Sequence, residues 1–554
     1  MQSTTAICPS LFNATTAQDG ILSRIRLPAG LITASQCQLI SEIVNQFGTN
    51  QFGYGEVQIT NRANLQIRTS AALSENTLLD LQDYGLASSC PDTDGLRNIM
   101  ASPAAGIDSQ ALVNTIPLVK QWNLYLLNHP ELAILSNKFS VCFDGGESIN
   151  ISDRPNDICF KALAIKDEIY FSLQLGSEVI GILIPYSQVI AVLAALTEVY
   201  RDYTEQKIEQ RLEQDSKNLR SRPPRLRELL NDWGIDKYLD LVAEKLNSQS
   251  PSIPLKKGDE EISTPPFTRG AGGDQHLESQ MEKSPSIPLK KGEEENSPPF
   301  TRGAGGDQHL ESQIERPSPL APLPKGERGT RGYQHLGIHP QKQAGLAYIG
   351  IVVPLGRLTA QQLRGLAELA KQYGGGALRL TPWQNILLTD ITIADLAKVT
   401  ELIANLGLSI SPTNPYAAIA ACSGITGCKS AHTDTQTDAK AIASHLEKCM
   451  QLDEPINFHF SGCDKSCAQH HASDIAIVGQ DSRTYKIYIG DGEIHFGREL
   501  YAECMASELP QLMERLINVY QTQRQPNQNF REFVNQSDLP ELNRKLRQGA
   551  IGHA

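Results

Sequence analysis

Two cysteine pairs carry the strongest chemical signal in the chain. Cys422-Ser-Gly-Ile-Thr-Gly-Cys428 spaces two thiols as C-x5-C, and Cys463-Asp-Lys-Ser-Cys467 spaces two more as C-x3-C. Thiolates are soft, strongly donating ligands, and two short loops that each offer a pair can wrap a 4Fe-4S core from opposite sides. Structural zinc more often uses C-x2-C or C-x4-C pairs, so a cluster is the expected occupant and zinc the lesser alternative. Gly424, Gly427 and Gly462 are expected to let backbone N–H groups approach the inorganic sulfides. The other seven cysteines (Cys8, Cys37, Cys90, Cys142, Cys159, Cys449 and Cys504) are scattered and read as small buried hydrophobes. Lys429 and Lys465, each beside a paired cysteine, either tune a cluster or are solvated. His432, His470 and His471 follow the same loops and read first as structural or solvent-facing side chains.

These loops must be held by a larger frame, and 554 residues are too many for one ordinary domain. Residues 250–335 hold 12 of the 31 prolines and 11 of the 42 glycines, and no cysteine. The tract repeats itself: Ser250 to Gly258 returns as Ser284 to Gly292, and Pro265 to Gln280 as Pro298 to Gln313. Proline and glycine inside every unit exclude paired helices, so a disordered linker is expected. The 249 residues before it and 219 after it resemble each other. Pro28-Ala-Gly-Leu-Ile-Thr-Ala34 matches Pro354-Leu-Gly-Arg-Leu-Thr-Ala360, and each precedes a helix-like stretch with Thr33 or Thr359 as N-cap. Strand-like runs follow, Gly55–Thr60 and Gly376–Thr381, each leading to a turn in which Thr is followed four residues on by Asn. Later, Ile169–Leu173, Val179–Ile184 and a helix ending near Tyr200 parallel Tyr485–Ile489, Glu493–Phe496 and a helix ending near Tyr520.

The fold class expected is α+β: two duplicated halves about a pseudo-twofold, with a disordered insertion and a ligand cleft between the halves. Expected units are 15–85, 90–249, the linker 250–335, 340–410 and 411–540, with the cysteine pairs in the last. A duplicated chain builds internally the pseudo-twofold that a homodimer would otherwise supply, so a monomer is expected. The net charge of −12 argues against nucleic acid as the main ligand. Met1 is followed by polar residues rather than a secretory pattern, and the apolar stretch Val179–Leu196 is broken by Gly181 and Pro185. It reads as strand, turn and buried helix rather than a membrane span, and the expected compartment is reducing cytoplasm. Gly374-Gly375-Gly376 lacks a following Lys-Ser/Thr and reads as a helix-stop turn rather than a phosphate loop.

The cysteine pairs on the second copy of a duplicated unit resemble the 4Fe-4S site of the sulfite and nitrite reductase superfamily, which binds sirohaem beside the cluster. Within it, the precorrin-3B synthases of aerobic cobalamin biosynthesis are the nearer likeness, on Asp19–Gly30, Thr60–Gln66, Arg97–Asp108 and Lys138–Gly146. The resemblance implies halves built from a ferredoxin-like subdomain and a 4Fe-4S/tetrapyrrole-binding subdomain. It places Arg62, Asn64, Arg97, Asn98 and Lys138 on positions that bind the tetrapyrrole, with Arg24 and Arg26 as weaker candidates. Cys422, Cys428, Cys463 and Cys467 become cluster ligands. A tetrapyrrole with eight carboxylates suits arginine forks.

For the synthase reading the resemblance implies an O2-dependent monooxygenase: precorrin-3A is hydroxylated at C-20 and the ring A acetate closes a γ-lactone. It also implies a non-haem iron whose ligands the sequence does not identify, and the catalytic residues stay unassigned. The alternative is a sirohaem-dependent sulfite or nitrite reductase; a non-catalytic carrier is a third class. The reductases show Lys-Phe-Lys where this chain has Lys138-Phe139-Ser140, and the missing cation favours the tetrapyrrole as substrate. No dinucleotide fingerprint occurs, so electrons are expected from a separate reductase or ferredoxin.

Overall fold

The computed structural model describes residues 9–48, 55–152, 154–166, 168–214, 222–248, 333–469 and 471–548. The repeat tract, apart from its last three residues, lies outside them, as do Cys8 and His470.

Each half contributes ten strands in the same order. The first half runs β1 (Thr15–Ala17), β2 (Gly20–Ile25), β3 (Leu31–Thr33), β4 (Glu56–Ile59), β5 (Leu65–Thr69), β6 (Ile99–Ala101), β7 (Val141–Asp144), β8 (Ile158–Ile165), β9 (Glu168–Leu175) and β10 (Glu178–Pro185). The second runs β11 (Gly337–Pro340), β12 (Leu346–Ile351), β13 (Arg357–Thr359), β14 (Ala377–Leu380), β15 (Ile386–Thr392), β16 (Ile419–Ala421), β17 (Phe458–Ser461), β18 (Ile475–Gly479), β19 (Thr484–Ile489) and β20 (Arg498–Met505). They form four five-stranded sheets: β1-β2-β5-β4-β13, β11-β12-β15-β14-β3, β10-β9-β8-β7-β6 and β16-β17-β18-β19-β20.

The first two sheets exchange a strand. β13 pairs with β4 (Leu358 opposite Val57), and β3 pairs with β14 (Ile32 opposite Leu378). The exchange starts at the repeated Pro-x-Gly turn, where Ala29 and Leu355 take φ of 57° and 54° and Gly30 and Gly356 take +67°. A Cβ on Gly30 would stand 2.5 Å from the Leu380 carbonyl oxygen of the other half, so no side chain fits there. The turn then delivers Thr33 and Thr359 as helix N-caps, each closing a capping box with Gln36 or Gln362. The capped helices, Ala34–Phe47 and Ala360–Tyr373, bury Cys37, Ile40 and Val44 and Leu363, Leu366 and Ala370 in one apolar core shared by both halves. The second helix ends at Gly374, as the triple glycine predicts.

The repeated spacing of Thr and Asn has a structural cause. Thr60 N–H donates to Asn64 O, and Asn64 Oδ1 accepts from Leu27 N–H at 2.8 Å; Asn385 repeats this with Val353 N–H at 3.0 Å. Each Asn thereby ties its turn to the strand that precedes the exchange.

In the other two sheets the first three strands run parallel and the last two antiparallel. Val179–Leu196 is strand, turn and helix, but that helix continues to Gln214, past Tyr200. Glu493–Phe496 is not the strand its apolar residues suggest. Gly492 and Gly497 approach each other so closely that a Cβ on Gly492 would lie 2.4 Å from Gly497 C, and this tight loop pushes the strand on to Arg498. Among the described residues no helix is long and apolar enough to cross a membrane.

Because the Gly30 turn is sterically closed, Gly30→Ala is expected to cost about 2–4 kcal/mol. A lowered urea midpoint would report it, and an unchanged midpoint would show that the strand exchange tolerates a Cβ there.

Candidate functional site

The cysteine loops leave the carboxyl ends of the neighbouring parallel strands β16 and β17, which puts both on one edge of the same sheet. Cys422 follows β16. Its carbonyl accepts from Thr435 Oγ1 at 2.8 Å and Gln436 Nε2 at 2.7 Å, at the start of helix Thr435–Cys449. Gly462 N–H donates to Cys422 Sγ at 3.2 Å, the kind of bond that stabilises a thiolate ligand. Cys463 follows β17, and its carbonyl accepts from Ser461 Oγ at 2.6 Å. Ser466, with φ of 54°, reverses the chain and presents Cys467. Lys465 Nζ donates to Ser430 Oγ at 2.8 Å, tying one cysteine loop to the other.

The four thiols form one electrostatic group. Burial raises the Cys467 thiol first, and Cys463, Cys422 and Cys428 raise it further. No three of the four sulfurs lie within 4.8 Å of one another, whereas a tetrahedral zinc with ~2.3 Å bonds needs sulfurs roughly 3.8 Å apart. The sulfurs as placed are therefore too far apart to share one zinc ion. The glycines answer to protein packing: a Cβ on Gly424 would meet Thr435 N at 2.8 Å, and one on Gly462 would meet Ala431 Cβ at 2.6 Å. The first half also reaches in. Arg68, buried on β5, donates from Nη2 to Ser423 Oγ at 3.0 Å and pairs through Nε with Asp19 at 2.7 Å. Sequence reading missed this pair, because the contact spans 355 residues.

Cys467 also lines a cavity of about 680 Å³ between the halves. Among the described residues seven cationic side chains surround it: Arg24, Arg26, Arg62, Lys138, Arg154, Arg225 and Arg227. No Asp or Glu lines it among the described residues, in a chain of net charge −12. Arg62 donates to Asn156 Oδ1 at 2.8 Å and to Pro155 O at 2.7 Å, and burial lowers its pKa. Arg154 places its guanidinium 4.7 Å over the ring of Trp383, the second-half counterpart of Arg62, and bonds to His471. Burial and Arg154 push the His471 pKa down to about 3, so this imidazole is neutral near pH 7. Arg225 pairs with Asp157 at 3.0 Å.

The structure brings Arg62, Asn98 and Lys138 to the cavity, but not Arg97 or Asn64. Arg97 is buried against Asp94 (3.3 Å) and donates to Asn123, Gly85 O and Leu86 O. Asp94, three residues upstream, was the available sign. Asn64 is spent on Leu27 N–H and on Asn98 Oδ1. His432 is exposed and away from the cavity lining. Arg154, Arg225 and Arg227 were not anticipated; nothing in their sequence neighbourhoods marks them.

Strand register identifies the first-half counterparts of Cys422 and Cys463 as Ser102 and Gly146, since Ala101 pairs with Phe143 as Ala421 pairs with Phe460. Carboxylates gather there instead. Asp144 is fully buried and accepts from three backbone N–H groups, and Glu147 Oε2 accepts from Gly145 N–H at 2.8 Å. Burial, then Asp144, pushes the Glu147 pKa up to about 8.

Two family patterns match the chain. The nitrite/sulfite reductase ferredoxin-like half domain matches residues 16–72 and 339–406, and the nitrite and sulphite reductase 4Fe-4S domain matches 92–250 and 414–550. The ferredoxin–nitrite reductase of Synechococcus elongatus is 26% identical over 524 residues, covering 90% of this chain and 85% of the relative. The chloroplastic ferredoxin–nitrite reductase of Zea mays is 26% identical over 83% of this chain and 69% of its own. The solved structure of the Mycobacterium tuberculosis NirA protein superposes with a TM-score of 0.67 at 21% identity, over 94% of this chain and 84% of that one, a likeness of fold.

The Glu147 carboxyl is held above its unfolded pKa, so the fold binds the extra proton and stability falls as pH rises from 4.5 to about 8. Glu147→Gln is expected to leave stability unchanged at pH 4 and to raise it by up to ~5 kcal/mol at pH 9. Equal urea midpoints at pH 9 would show that no buried charge develops.

Proposed function

The chain belongs to the nitrite/sulfite reductase family, and we propose that it is a sirohaem- and 4Fe-4S-dependent reductase of a small oxyanion, nitrite or sulfite, supplied with electrons by ferredoxin. The observation that carries this reading is the cavity itself: among the described residues, seven cations, no carboxylate, and Cys467 of the paired thiols in its wall.

Family membership implies both cofactors, and the residues present fit them. The charge, the volume and the apolar surfaces of Met100, Trp383 and Ile419 suit a macrocycle rimmed by carboxylates. Cys422, Cys428, Cys463 and Cys467 are proposed to hold the cluster; Arg24, Arg26, Arg62, Arg154 and Arg225 would pair with sirohaem carboxylates. When bound, these two groups would supply a metal site for the oxyanion and a relay for single electrons. Converting nitrite to ammonium takes up six electrons and eight protons. The arginines do not release protons, and His471 is neutral, so Lys138, the one ammonium among the described residues of the wall, is the proposed proton donor, recharged from solvent at its exposed end.

A precorrin-3B synthase-type monooxygenase is the second reading, and Ser140 is the observation that favours it. That side chain is buried and bonded to Asp157 where the reductases carry a lysine. The cation shortage behind that reading is offset, however, by Arg154, Arg225 and Arg227.

Protein purified without oxygen decides between them. Sirohaem absorption together with consumption of nitrite or sulfite driven by reduced ferredoxin is expected; protein that lacks a Soret band and hydroxylates precorrin-3A instead would overturn the reductase. Cys463→Ala is expected to lose the iron and sulfide of the cluster, and unchanged content would remove it from the ligand set. Lys138→Met is expected to lower the turnover rate about 10²-fold with intact sirohaem absorption, read by steady-state kinetics.

A further inference from the structure

One of the cysteines that sequence reading set aside as a small hydrophobe is not buried. Cys449 is exposed at the end of helix Thr435–Cys449. His445 lies four residues before it, one turn back on the same face. Glu514, from the neighbouring helix Leu509–Gln523, completes a trio whose ligand atoms all lie within 4.8 Å of one another. Glu514 Oε2 accepts from His445 Nε2 at 2.7 Å, and the Cys449 thiol lies within 4.8 Å of the ligand atoms of both. The frame beneath is rigid: Leu446, Met513 and Ile517, from the same two helices, are fully buried in the core.

We propose that His445, Cys449 and Glu514 form a binding site for a thiophilic divalent cation of the zinc class. A sulfur, an imidazole nitrogen and one carboxylate select such ions over magnesium or calcium, which need mostly oxygen donors. Tetrahedral zinc wants ligand atoms roughly 3.3–3.8 Å apart, which small rotamer changes supply from the spacing present. The charges close: thiolate and carboxylate together neutralise the dication, and the fourth position takes water. On binding, the S–H bond breaks, the metal–sulfur bond forms, and the thiol proton passes to solvent; the imidazole proton moves from Nε2 to Nδ1, which frees Nε2 for the metal with no further proton released. The metal would replace the hydrogen bond that Glu514 now accepts from His445 and lock together two helices, one of which holds the Cys422 carbonyl at its other end. This site is independent of the proposed reductase activity.

The test is zinc chloride titrated into the purified holoprotein, with magnesium chloride as control. The expected result is one equivalent bound with a dissociation constant of about 1 µM or tighter, about one proton released, and alkylation of Cys449 slowed about tenfold as read by peptide mass spectrometry. Cys449→Ser and His445→Ala should each lose that equivalent. Glu514→Gln, which keeps a hydrogen-bond acceptor for His445, should lose it with an unchanged melting temperature in the absence of zinc. Zinc that leaves Cys449 alkylation untouched, or an equivalent that survives Cys449→Ser, overturns the site.

Discussion

Everything in the molecule's geometry hangs on six residues of backbone pairing, β3 on β14 and β13 on β4. Strand hydrogen bonds fix position and direction far more tightly than side-chain packing between two separate globules. The exchanged strands thereby set the distance between the halves, and the cavity is the space that remains between them. Six of the seven cations that line it come from strands, loops or helices before residue 226, and the seventh is Arg227; the aromatic and thiol wall comes from Tyr333, Trp383 and Cys467. One half supplies charge and the other supplies sulfur, and neither does so without the other.

Collecting seven like charges in one cavity is costly, and the local structure shows how the cost is met. Arg62 is spread over a side-chain and a backbone carbonyl, Arg154 rests on the Trp383 ring, and Arg225 leans on Asp157 just behind the wall. None of these partners puts a negative charge into the cavity, which therefore stays positive for an anionic occupant. The first half makes the opposite arrangement at the place where the second half carries its cysteines: Asp144 and Glu147 are buried under strand ends with backbone N–H groups as partners. The strand register is the same in both halves, while the side chains beyond the strand ends differ, carboxylates in one and cysteines in the other.

The sequence made legible whatever depends on local spacing. The duplicated turns, the two threonine caps, the helix stop at Gly374 and the two cysteine loops all follow from residues within a few positions of each other. Contacts between distant segments were not legible. Arg97 sits in a motif that suggests binding, yet its partner Asp94 is only three residues away and takes the guanidinium inward. Arg154 and Arg225 look like any surface cation until folding brings them over Trp383 and Asp157. The thin tally of cations available from motifs alone is what made the loss of a lysine at Ser140 look decisive. The Glu493–Phe496 segment failed differently: its apolar residues suggest a strand, but the glycines flanking it impose a tight loop.

The strand exchange also writes a schedule for synthesis. β4 is paired on one side by β5 and on the other by β13, whose register partner for Gln58 is Arg357, about 300 residues later, 86 of them in the Pro- and Gly-rich tract. At about 5–20 residues per second the ribosome needs roughly 15–60 s to deliver that partner. During this interval β4 is an open edge with an apolar face, able to accept any passing strand. The first half can gather its own helices early, but its first sheet is finished only by the second half, so nascent chains depend on whatever shields that edge until Leu358 arrives.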